Sequence, residues 1–597
     1  MSIPERIASL RKKMEAHQID AYLIPSADSH QSEYVGEHFK TRAFLTGFTG
    51  SAGDAIITKD EAGLWTDARY FLQAERQLAG TGITLYKLGE PGVPTMSEFL
   101  ERVLPTNGTL GFDGRVLAMQ EGDAFAAALA KKQVQFKYNV DLMADIWSDR
   151  PPLSKESAFV LDEVYAGEST MSKLARIRSV MEQEGATAHI LTSLDDICWI
   201  INMRGNDVKY SPLILSYLII RKDRADLFID ENKLDNHAKS ALAKCNFTLH
   251  PYQDIYEVVK TFHAEDAILI DSRKINYAIY NNLPQDTKKI ERPNPTILYK
   301  AIKNKVELQN IIQAHIKDGV AVTKFMHWLK TTVGKERITE ISAAQKLEDF
   351  RQEGEGYLWQ SFAPICGYKE HAAIVHYSAT SETDTELAPI GMFLTDTGGN
   401  YYEGSTDITR THILGPITEE ERTHFTTVAK SNLNLASAHF LHGCCGYNLD
   451  ILARQPMWDL GLDYKHGTGH GIGYLLNIHE GPAGFRWQIN PARDETHPLE
   501  AGMVITNEPG IYIAGSHGIR TENELIVRAG DTNEYGQFLH FETITYAPID
   551  LDGIEPSLMS QEERMRLNNY HKMVYNVISP HLNEEENDWL KTYTREI

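Results

Sequence analysis

The chain has 597 residues, of which 42% are hydrophobic and 24% charged, with a formal net charge of −23. This length exceeds what one hydrophobic core can hold, so we expect about three to five domains of ordinary globular composition. The acidic excess disfavours binding to nucleic acid and to anionic membranes, because both require clustered positive charge. No apolar run approaches the roughly 18 residues of a membrane-spanning helix.

The amino terminus and the cysteines indicate a cytoplasmic protein without disulfides. Residues 1–20 read as an amphipathic helix with charges throughout, and they lack the apolar stretch and cleavage site of a signal peptide. The five cysteines are few, odd in number and without CxxC spacing. Neither a disulfide framework nor a thiolate zinc site is therefore indicated.

Two similar segments in the first half predict a duplicated α/β domain. Residues 21–28 (AYLIPSAD) match residues 188–195 (AHILTSLD), and a basic amphipathic helix precedes each of them. An aromatic segment and a pair of strands follow in both copies. The proline-rich segment 148–153 separates them, so we place one domain at 1–150 and the other at 151–298.

The first copy alone contains a candidate functional patch, Asp67-Ala68-Arg69-Tyr70. A surface salt bridge between the aspartate and the arginine is as good an interpretation as a ligand-binding role. The patch by itself leaves both open.

The second half begins with a long helix that starts near Val306 and carries one apolar face. The residues of this face, four apart, are Leu308, Ile312, Ile316 and Val320. A second helix is predicted to start at Thr339 and a third at Thr418, where Thr418 and Glu421 form a capping box. Glycine-interrupted strands lie between and after these helices, so we expect helices outside an antiparallel sheet.

Carboxylate and imidazole side chains stand in order along these strands and form a candidate metal site. They are Asp396, Asp407, His470, Glu508 and Glu522. Four carboxylates and one imidazole suit Mn²⁺, Co²⁺, Mg²⁺ or Zn²⁺, and two divalent ions would balance the four negative charges. The sequence therefore favours a paired-metal hydrolase.

Several of these residues also have a plainer interpretation. Asp396 and Asp407 flank a Gly-Gly-Asn segment that would be a turn between adjoining strands, and turn residues need no metal. Glu522 lies in an alternating strand, where it would share a face with Arg520 and Glu524. If that face were buried without metals, each carboxylate would cost several kcal/mol of desolvation.

The glycines around His466 and His470 favour an extended segment over a helix. In such a segment His466, Thr468 and His470 would point the same way, while the glycines would permit close backbone approach. A phosphate-binding loop is disfavoured, because neither GxGxxG nor GxxxxGK[ST] fits. Glu508 precedes a Pro-Gly turn signal, and alone it could be a solvated strand end.

The sequence resembles the peptidase family with the pita-bread fold, which includes methionine aminopeptidase, prolidase, creatinase and aminopeptidase P. The phrases TDTGGNYYEGSTDITRTH, HGTGHGIGYLLNIHEGP, NEPGIY and GIRTEN carry this resemblance. SADSHQSEYVGEH, FTGSAGDAIIT and LWTDARYFLQAERQL resemble the amino-terminal domain of the large three-domain cytosolic aminopeptidase P. The resemblance implies two related creatinase-like α/β domains, a pita-bread α+β catalytic domain at 299–548, and a helical extension at 549–597 appended as a cap or dimer contact.

The resemblance also implies a role for each candidate residue. Asp396 would bind one metal ion, Asp407 and Glu522 would bridge both, and His470 with Glu508 would bind the other. A hydroxide would lie between the ions, and Glu508 would relay the proton. His479 would contact the substrate and stabilise the intermediate, and His376 and His466 would form the walls of the proline pocket. Tyr512 and Arg520 would support the metal ligands. Arg69 would contact the substrate from the first domain.

The function that the resemblance implies is a manganese-dependent, homodimeric Xaa-Pro aminopeptidase. It would remove the first residue of a peptide whose second residue is proline. One alternative is prolidase, which cuts only dipeptides and which the two-domain amino-terminal half disfavours. The other is a non-catalytic pita-bread binding module, against which the intact ligand set argues.

Overall fold

The computed structural model describes residues 1–489 and 495–597, and the chain forms two compact units. The first unit comprises Met1–Leu161 and Glu168–Thr296, and the second comprises Asp162–Gly167 and Ile297–Ile597. Within the described ranges, no helix combines the length and apolar character that crossing a membrane requires.

Helices and strands are numbered in chain order. The α-helices are α1 Ile3–Ala16, α2 Thr41–Thr46, α3 Phe71–Leu78, α4 Met96–Val103, α5 Met119–Leu129, α6 Leu142–Ile146, α7 Glu163–Ala166, α8 Thr170–Glu184, α9 Leu194–Ile201, α10 Asn236–Lys244, α11 Ile255–Val258, α12 Tyr277–Asn282, α13 Thr296–Ala301, α14 Lys305–Thr332, α15 Glu340–Gln352, α16 Glu419–Ala436, α17 Gly446–Leu449, α18 Ile451–Trp458, α19 Gln561–Ile578 and α20 Glu584–Tyr593. The strands of the first unit are β1 Ala21–Ile24, β2 Asp54–Thr58, β3 Ala62–Thr66, β4 Thr84–Lys87, β5 Thr109–Gly111, β6 Gln135–Lys137, β7 Phe159–Val160, β8 Ala188–Leu191, β9 Met203–Arg204, β10 Ser216–Arg221, β11 Ala225–Ile229, β12 Phe247–His250, β13 Ala267–Ile270 and β14 Lys288–Glu291. Those of the second unit are β15 Tyr357–Gln360, β16 Ile365–Tyr368, β17 Met392–Thr397, β18 Gly399–Tyr401, β19 Gly404–Ser405, β20 Ile408–Ile413, β21 His439–Leu441, β22 Gly469–Gly471, β23 Glu480–Phe485, β24 Val504–Asn507, β25 Gly510–Ile513, β26 His517–Arg520, β27 Asn523–Asn533 and β28 Gly536–Thr543.

The first unit contains two six-stranded sheets of the same topology. Their strand orders are β4-β3-β2-β1-β5-β6 and β12-β11-β10-β8-β13-β14. In each sheet the central strand, β1 or β8, pairs antiparallel on one side and parallel on the other. These central strands are the two similar segments of the sequence, so the predicted duplication of an α/β domain is confirmed.

The second unit is an antiparallel α+β structure, as predicted. Its sheets have the strand orders β15-β18-β19, β16-β17-β20, β21-β28-β27-β24-β22-β23 and β25-β26. The predicted helix starts are also confirmed, because Asn304, Thr339 and Thr418 each cap a helix through a capping box.

The buried surface of α14 differs from the predicted apolar stripe. Ile312, Ile316 and Val320 are only partly buried, whereas the polar side chains of His315 and Asp318 are buried. Because α15, α19 and α20 all pack against α14, its buried positions extend beyond one stripe. The sequence pattern could not reveal these additional neighbours.

The C-terminal helices share the core of the second unit. Leu567, Val574 and Ile578 of α19 and Leu590 of α20 are fully buried. They belong to the same hydrophobic cluster as Phe425 of α16. Residues 549–597 therefore contribute side chains to this unit's core. They are more closely integrated than the appended cap that the sequence suggested.

A buried ion pair joins α14 to α15. Arg351 donates from Nε to Asp318 Oδ1 at 2.6 Å and from Nη2 to Oδ2 at 3.2 Å. Tyr401 OH, on β18, donates to Oδ1 at 3.1 Å. Both ionic side chains are at most 4% exposed. Loss of one partner from such a pair leaves an uncompensated buried charge.

We expect Arg351→Leu to destabilise the second unit by about 3–5 kcal/mol, because Asp318 would lose its counter-charge. The measurement is the shift of the urea-induced transition that reports this unit. The control is Arg337→Leu, which breaks an ion pair to Glu386 whose side chains are 76% and 59% exposed. Such exposed pairs contribute at most about 1 kcal/mol. Equal losses in the two variants would contradict the role assigned to burial.

Candidate metal centre

The candidate ligands lie at strand ends and junctions of the second unit. Asp396 is on β17 opposite Thr409 of β20, and Asp407 immediately precedes β20. The remaining three are His470 in the middle of β22, Glu508 just after β24, and Glu522 between β26 and β27. Their backbones are thus fixed by three different sheets.

Three of these residues converge on one point. Asp407, His470 and Glu522 each offer an atom, and these atoms lie within 4.8 Å of one another. His470 Nε2 is 3.5 Å from Asp407 Oδ2 and 3.5 Å from Glu508 Oε1. The other ring nitrogen, Nδ1, lies 3.1 Å from the Gly471 carbonyl oxygen and donates to it. In this tautomer Nε2 carries no proton, which is the form of the nitrogen that binds a metal.

Glycines allow β22 to hold His470 between two other strands. A Cβ on Gly469 would lie 1.9 Å from the Thr506 carbonyl oxygen, and one on Gly471 would lie 2.2 Å from that of Glu480. The predicted close backbone approach is therefore confirmed. β22 begins only at Gly469, so His466 and Thr468 precede the strand, and the Thr468 hydroxyl donates to Asp450 at 2.5 Å.

The cluster concentrates negative charge in a buried place. Burial and the charges of Glu522 and Asp396 raise the pKa of Asp407 well above its usual range. Burial likewise raises the pKa of Glu522, and it raises that of Glu508 to about 7. Among the described residues, Asp396 Oδ1 and Asp407 Oδ1 are buried without a hydrogen-bond partner. Divalent cations would satisfy both the charge and the unbonded oxygens, so the donor set fits them.

A chain of hydrogen bonds extends from Asp396 to His466. Arg520 donates from Nη2 to Asp396 Oδ2 at 2.5 Å and from Nη1 to Tyr512 OH at 2.6 Å. Tyr512 OH lies 2.9 Å from His466 Nε2, and His466 Nδ1 donates to the Gly467 carbonyl at 2.7 Å. Burial lowers the pKa of His466 to about 3. A neutral His466 therefore accepts a hydrogen bond from Tyr512 OH at Nε2.

The remaining predicted residues have different positions. The ring of His479 stands at 89° to that of His470, with the centroids 4.2 Å apart. His376 is half-buried in the turn after the 3₁₀ helix Lys369–Ala373, which packs against β25 and β26. Arg69 lies in the first unit, where it forms a bidentate ion pair with Asp67.

Two buried residues beside the cluster were missed as site residues. Glu524 Oε1 accepts the Asp407 backbone N–H at 2.8 Å and lies 3.1 Å from Nε2 of His315. Burial opposes a charge on His315, but the Glu524 carboxylate outweighs it and raises the pKa of this histidine. The sequence contained a signal for Glu524, because this residue alternates with the candidate ligand Glu522. His315 lies inside α14, where no local pattern marks it.

Two local predictions about the backbone were wrong. Residues 399–401 form β18, and the turn falls at 402–403, between β18 and β19. The stretch from Arg520 to Glu524 is not one strand, because β26 ends at Arg520 and β27 begins at Asn523. β26 pairs with β25, whereas β27 pairs with β24 and β28. The chain therefore changes sheets at Glu522.

Arg410 connects the C-terminal helices to the backbone of Glu522. Its Nη1 donates to the Glu522 carbonyl at 2.6 Å, and its Nη2 donates to Tyr570 OH on α19 at 2.7 Å. Tyr570 OH in turn donates to the Ala547 carbonyl at 2.7 Å. The guanidinium is buried, so these oxygens replace its hydration.

Family profiles match the chain in four consecutive stretches. They are the creatinase/prolidase N-terminal domain at 6–143 and again at 149–307, metallopeptidase family M24 at 309–529, and the C-terminal region of peptidase M24 at 537–597. Both halves of the first unit thus match the same kind of domain.

Individual relatives extend over the whole chain. Aminopeptidase P2 of Arabidopsis thaliana is 37% identical over 632 residues, which cover 99% of this chain and 88% of the relative. The crystal structure of X-prolyl aminopeptidase from Caenorhabditis elegans, a cytosolic enzyme with a di-nuclear active site, is 33% identical and covers 100% of both chains with a TM-score of 0.95. Xaa-Pro dipeptidase from Bacillus anthracis shares the fold over 64% of this chain, with a TM-score of 0.51 and 24% identity. The chain therefore belongs to metallopeptidase family M24 and, within it, to the aminopeptidase P proteins.

Proposed function

We propose that the chain is a metal-dependent, cytosolic Xaa-Pro aminopeptidase that releases the first residue of a peptide whose second residue is proline. One observation carries the proposal: the similarity to the X-prolyl aminopeptidase of C. elegans extends over the whole of both chains. It includes both amino-terminal domains and the C-terminal helices. The similarity to the dipeptidase covers 64% of this chain and supports only the fold.

We propose two divalent metal ions, manganese in the active protein, as the cofactor. Asp396 would bind one ion and His470 with Glu508 the other, while Asp407 and Glu522 would bind both. Support comes from the unbonded buried oxygens of Asp396 and Asp407 and from the charge of four carboxylates, which two divalent cations balance. When bound, the ions would supply an activated water as the nucleophile and a Lewis acid for the scissile carbonyl.

Side chains around the ligands would bind the substrate and move the proton. Glu508 would carry the proton from the attacking water to the leaving nitrogen. His479 would donate a hydrogen bond to the substrate carbonyl; its ring contact with His470 places it beside the proposed metal site. His376 and His466 would wall the proline pocket, and the hydrogen bond to Tyr512 holds His466 in place.

We propose that the protein is a homodimer in which Arg69 of one subunit reaches the substrate of the other. Support for an interface comes from exposed apolar side chains on and near α18, of which Trp458 and Trp487 are in ring contact, because exposed apolar patches mark interaction sites. They are Ile451, Leu452, Trp458, Leu460, Trp487 and Ile489. A monomer in sedimentation velocity at micromolar concentration would count against this proposal.

The proposed activity is tested by hydrolysis of Arg-Pro-Pro, Arg-Ala-Pro and the dipeptide Arg-Pro, each with Mn²⁺, Co²⁺, Zn²⁺ or no metal. Proline has no N–H and a fixed φ, so a site shaped for it should discriminate strongly against alanine. We expect rapid release of arginine from Arg-Pro-Pro, fastest with Mn²⁺, and slow release from Arg-Ala-Pro. Rapid cleavage of Arg-Ala-Pro would refute proline selectivity. Cleavage restricted to Arg-Pro would identify a prolidase.

We expect Asp407→Asn to lose metal and to lower kcat/KM by more than about 100-fold. The substitution keeps the shape but removes one charge from a ligand to both ions, and it should cost more than a change behind a ligand. Metal content by mass spectrometry and kcat/KM on Arg-Pro-Pro provide the measurement. Asp531→Asn, at the exposed end of β27, is the matched control. Retention of both metals and of activity within twofold would refute the assignment.

We expect His479→Ala to keep both metals while kcat falls by about 10²–10³, because it removes a contact to the transition state without removing a ligand. Steady-state kinetics and metal analysis on the same preparation separate these effects. His581→Ala, an exposed histidine of the same unit, should behave as wild type. Loss of metal from His479→Ala would show that this residue is a ligand.

A further inference from the structure

Glu524 is a buried carboxylate that the proposed mechanism does not use. It is 0% exposed, and it adds a fifth negative group to a place where four already repel one another. A carboxylate retained in such surroundings needs a compensating contact. The contacts of Glu524 are with Asp407 and His315.

The first contact holds the backbone of a proposed metal ligand. Asp407 lies between β19 and β20, and its N–H points to Glu524 Oε1 at 2.8 Å. The Glu524 side chain thus provides the hydrogen bond that a neighbouring strand would otherwise make to the Asp407 backbone. The carboxylate of the same Asp407 lies 3.5 Å from His470 Nε2. Buried N–H groups are nearly always paired, so this acceptor fixes where the Asp407 backbone lies.

The second contact compensates the charge. His315 Nδ1 donates to the Ile311 carbonyl at 2.8 Å within α14, and its Nε2 lies 3.1 Å from Glu524 Oε1. The two side chains are at most 2% exposed. Both contacts are therefore made by the same oxygen, Oε1, with His315 on α14 and Asp407 just before β20.

We propose that Glu524 is a positioning residue that, with His315 as its partner, fixes the backbone of Asp407 and thereby the geometry of the metal site. The inference rests on the proposed function for its effect on metal binding, because Asp407 is there proposed as a ligand to both ions. The hydrogen bond itself is a property of the metal-free chain.

The test compares Glu524→Leu with Glu524→Gln. The glutamine oxygen can still accept the Asp407 N–H, whereas leucine offers no acceptor. Metal-free protein is titrated with Mn²⁺ by calorimetry, and amide hydrogen exchange is measured by mass spectrometry over residues 404–410. We expect Glu524→Leu to weaken Mn²⁺ binding about 10- to 100-fold and to speed exchange at Asp407. Glu524→Gln should restore both to near wild type.

The matched control is Asp318→Leu. This substitution also removes a buried, ion-paired carboxylate, and its partner is Arg351. Asp318 lies on α14, close in sequence to His315, and forms its hydrogen bonds with Arg351 and Tyr401. We expect it to lower stability while Mn²⁺ affinity stays near wild type. An equal loss of affinity in Asp318→Leu would overturn the proposal, because general loosening would then explain the effect.

Two further outcomes would also overturn it: wild-type exchange and affinity in Glu524→Leu, or failure of Glu524→Gln to restore them. If Glu524→Leu does not fold, His315→Leu replaces it, and adding Glu524→Gln to that variant should recover affinity and slow exchange. A wild-type protein that binds no Mn²⁺ and cleaves no Xaa-Pro peptide would refute the proposed function alone. Exchange at Asp407 would still test the contact in that case.

Discussion

Repulsion among buried carboxylates is the constraint on which the second unit depends. Asp396, Asp407, Glu508 and Glu522 lie close enough that burial and mutual charge raise the pKa of several of them. Protein cations offset part of this cost, because Arg520 bonds Asp396 directly. The remaining charge suits divalent ions, so folding and metal binding draw on the same electrostatic balance.

The architecture keeps the crowded side chains from moving apart. Each candidate ligand belongs to a short strand or a strand junction, and these belong to three sheets that pack within one unit. The backbone at each candidate ligand cannot move away without disturbing strands that are hydrogen-bonded to their neighbours. Rigid packing around the cluster is how a protein retains such strain at a functional site.

The sequence predicted features that local chemistry determines. The duplicated domains were visible because apolar central strands repeat, and the helix starts were visible because capping residues such as Thr418 act within one turn. The candidate ligands were chosen from their donor types. The change of sheet at Glu522 and the contact between His315 and Glu524 were not predicted, because both depend on which strands and helices meet after folding. Alternation of residue types cannot distinguish one strand from two that belong to different sheets.

The link through Arg410 has a consequence for the order in which the protein matures. Tyr570 holds Arg410, and Arg410 holds the carbonyl of Glu522, so the environment of this carboxylate is incomplete until α19 has docked. During synthesis α19 leaves the ribosome after all of the candidate ligands. A nascent chain therefore cannot assemble the finished site as soon as its ligands emerge. Metal loading of a finished site would then follow the packing of the C-terminal helices.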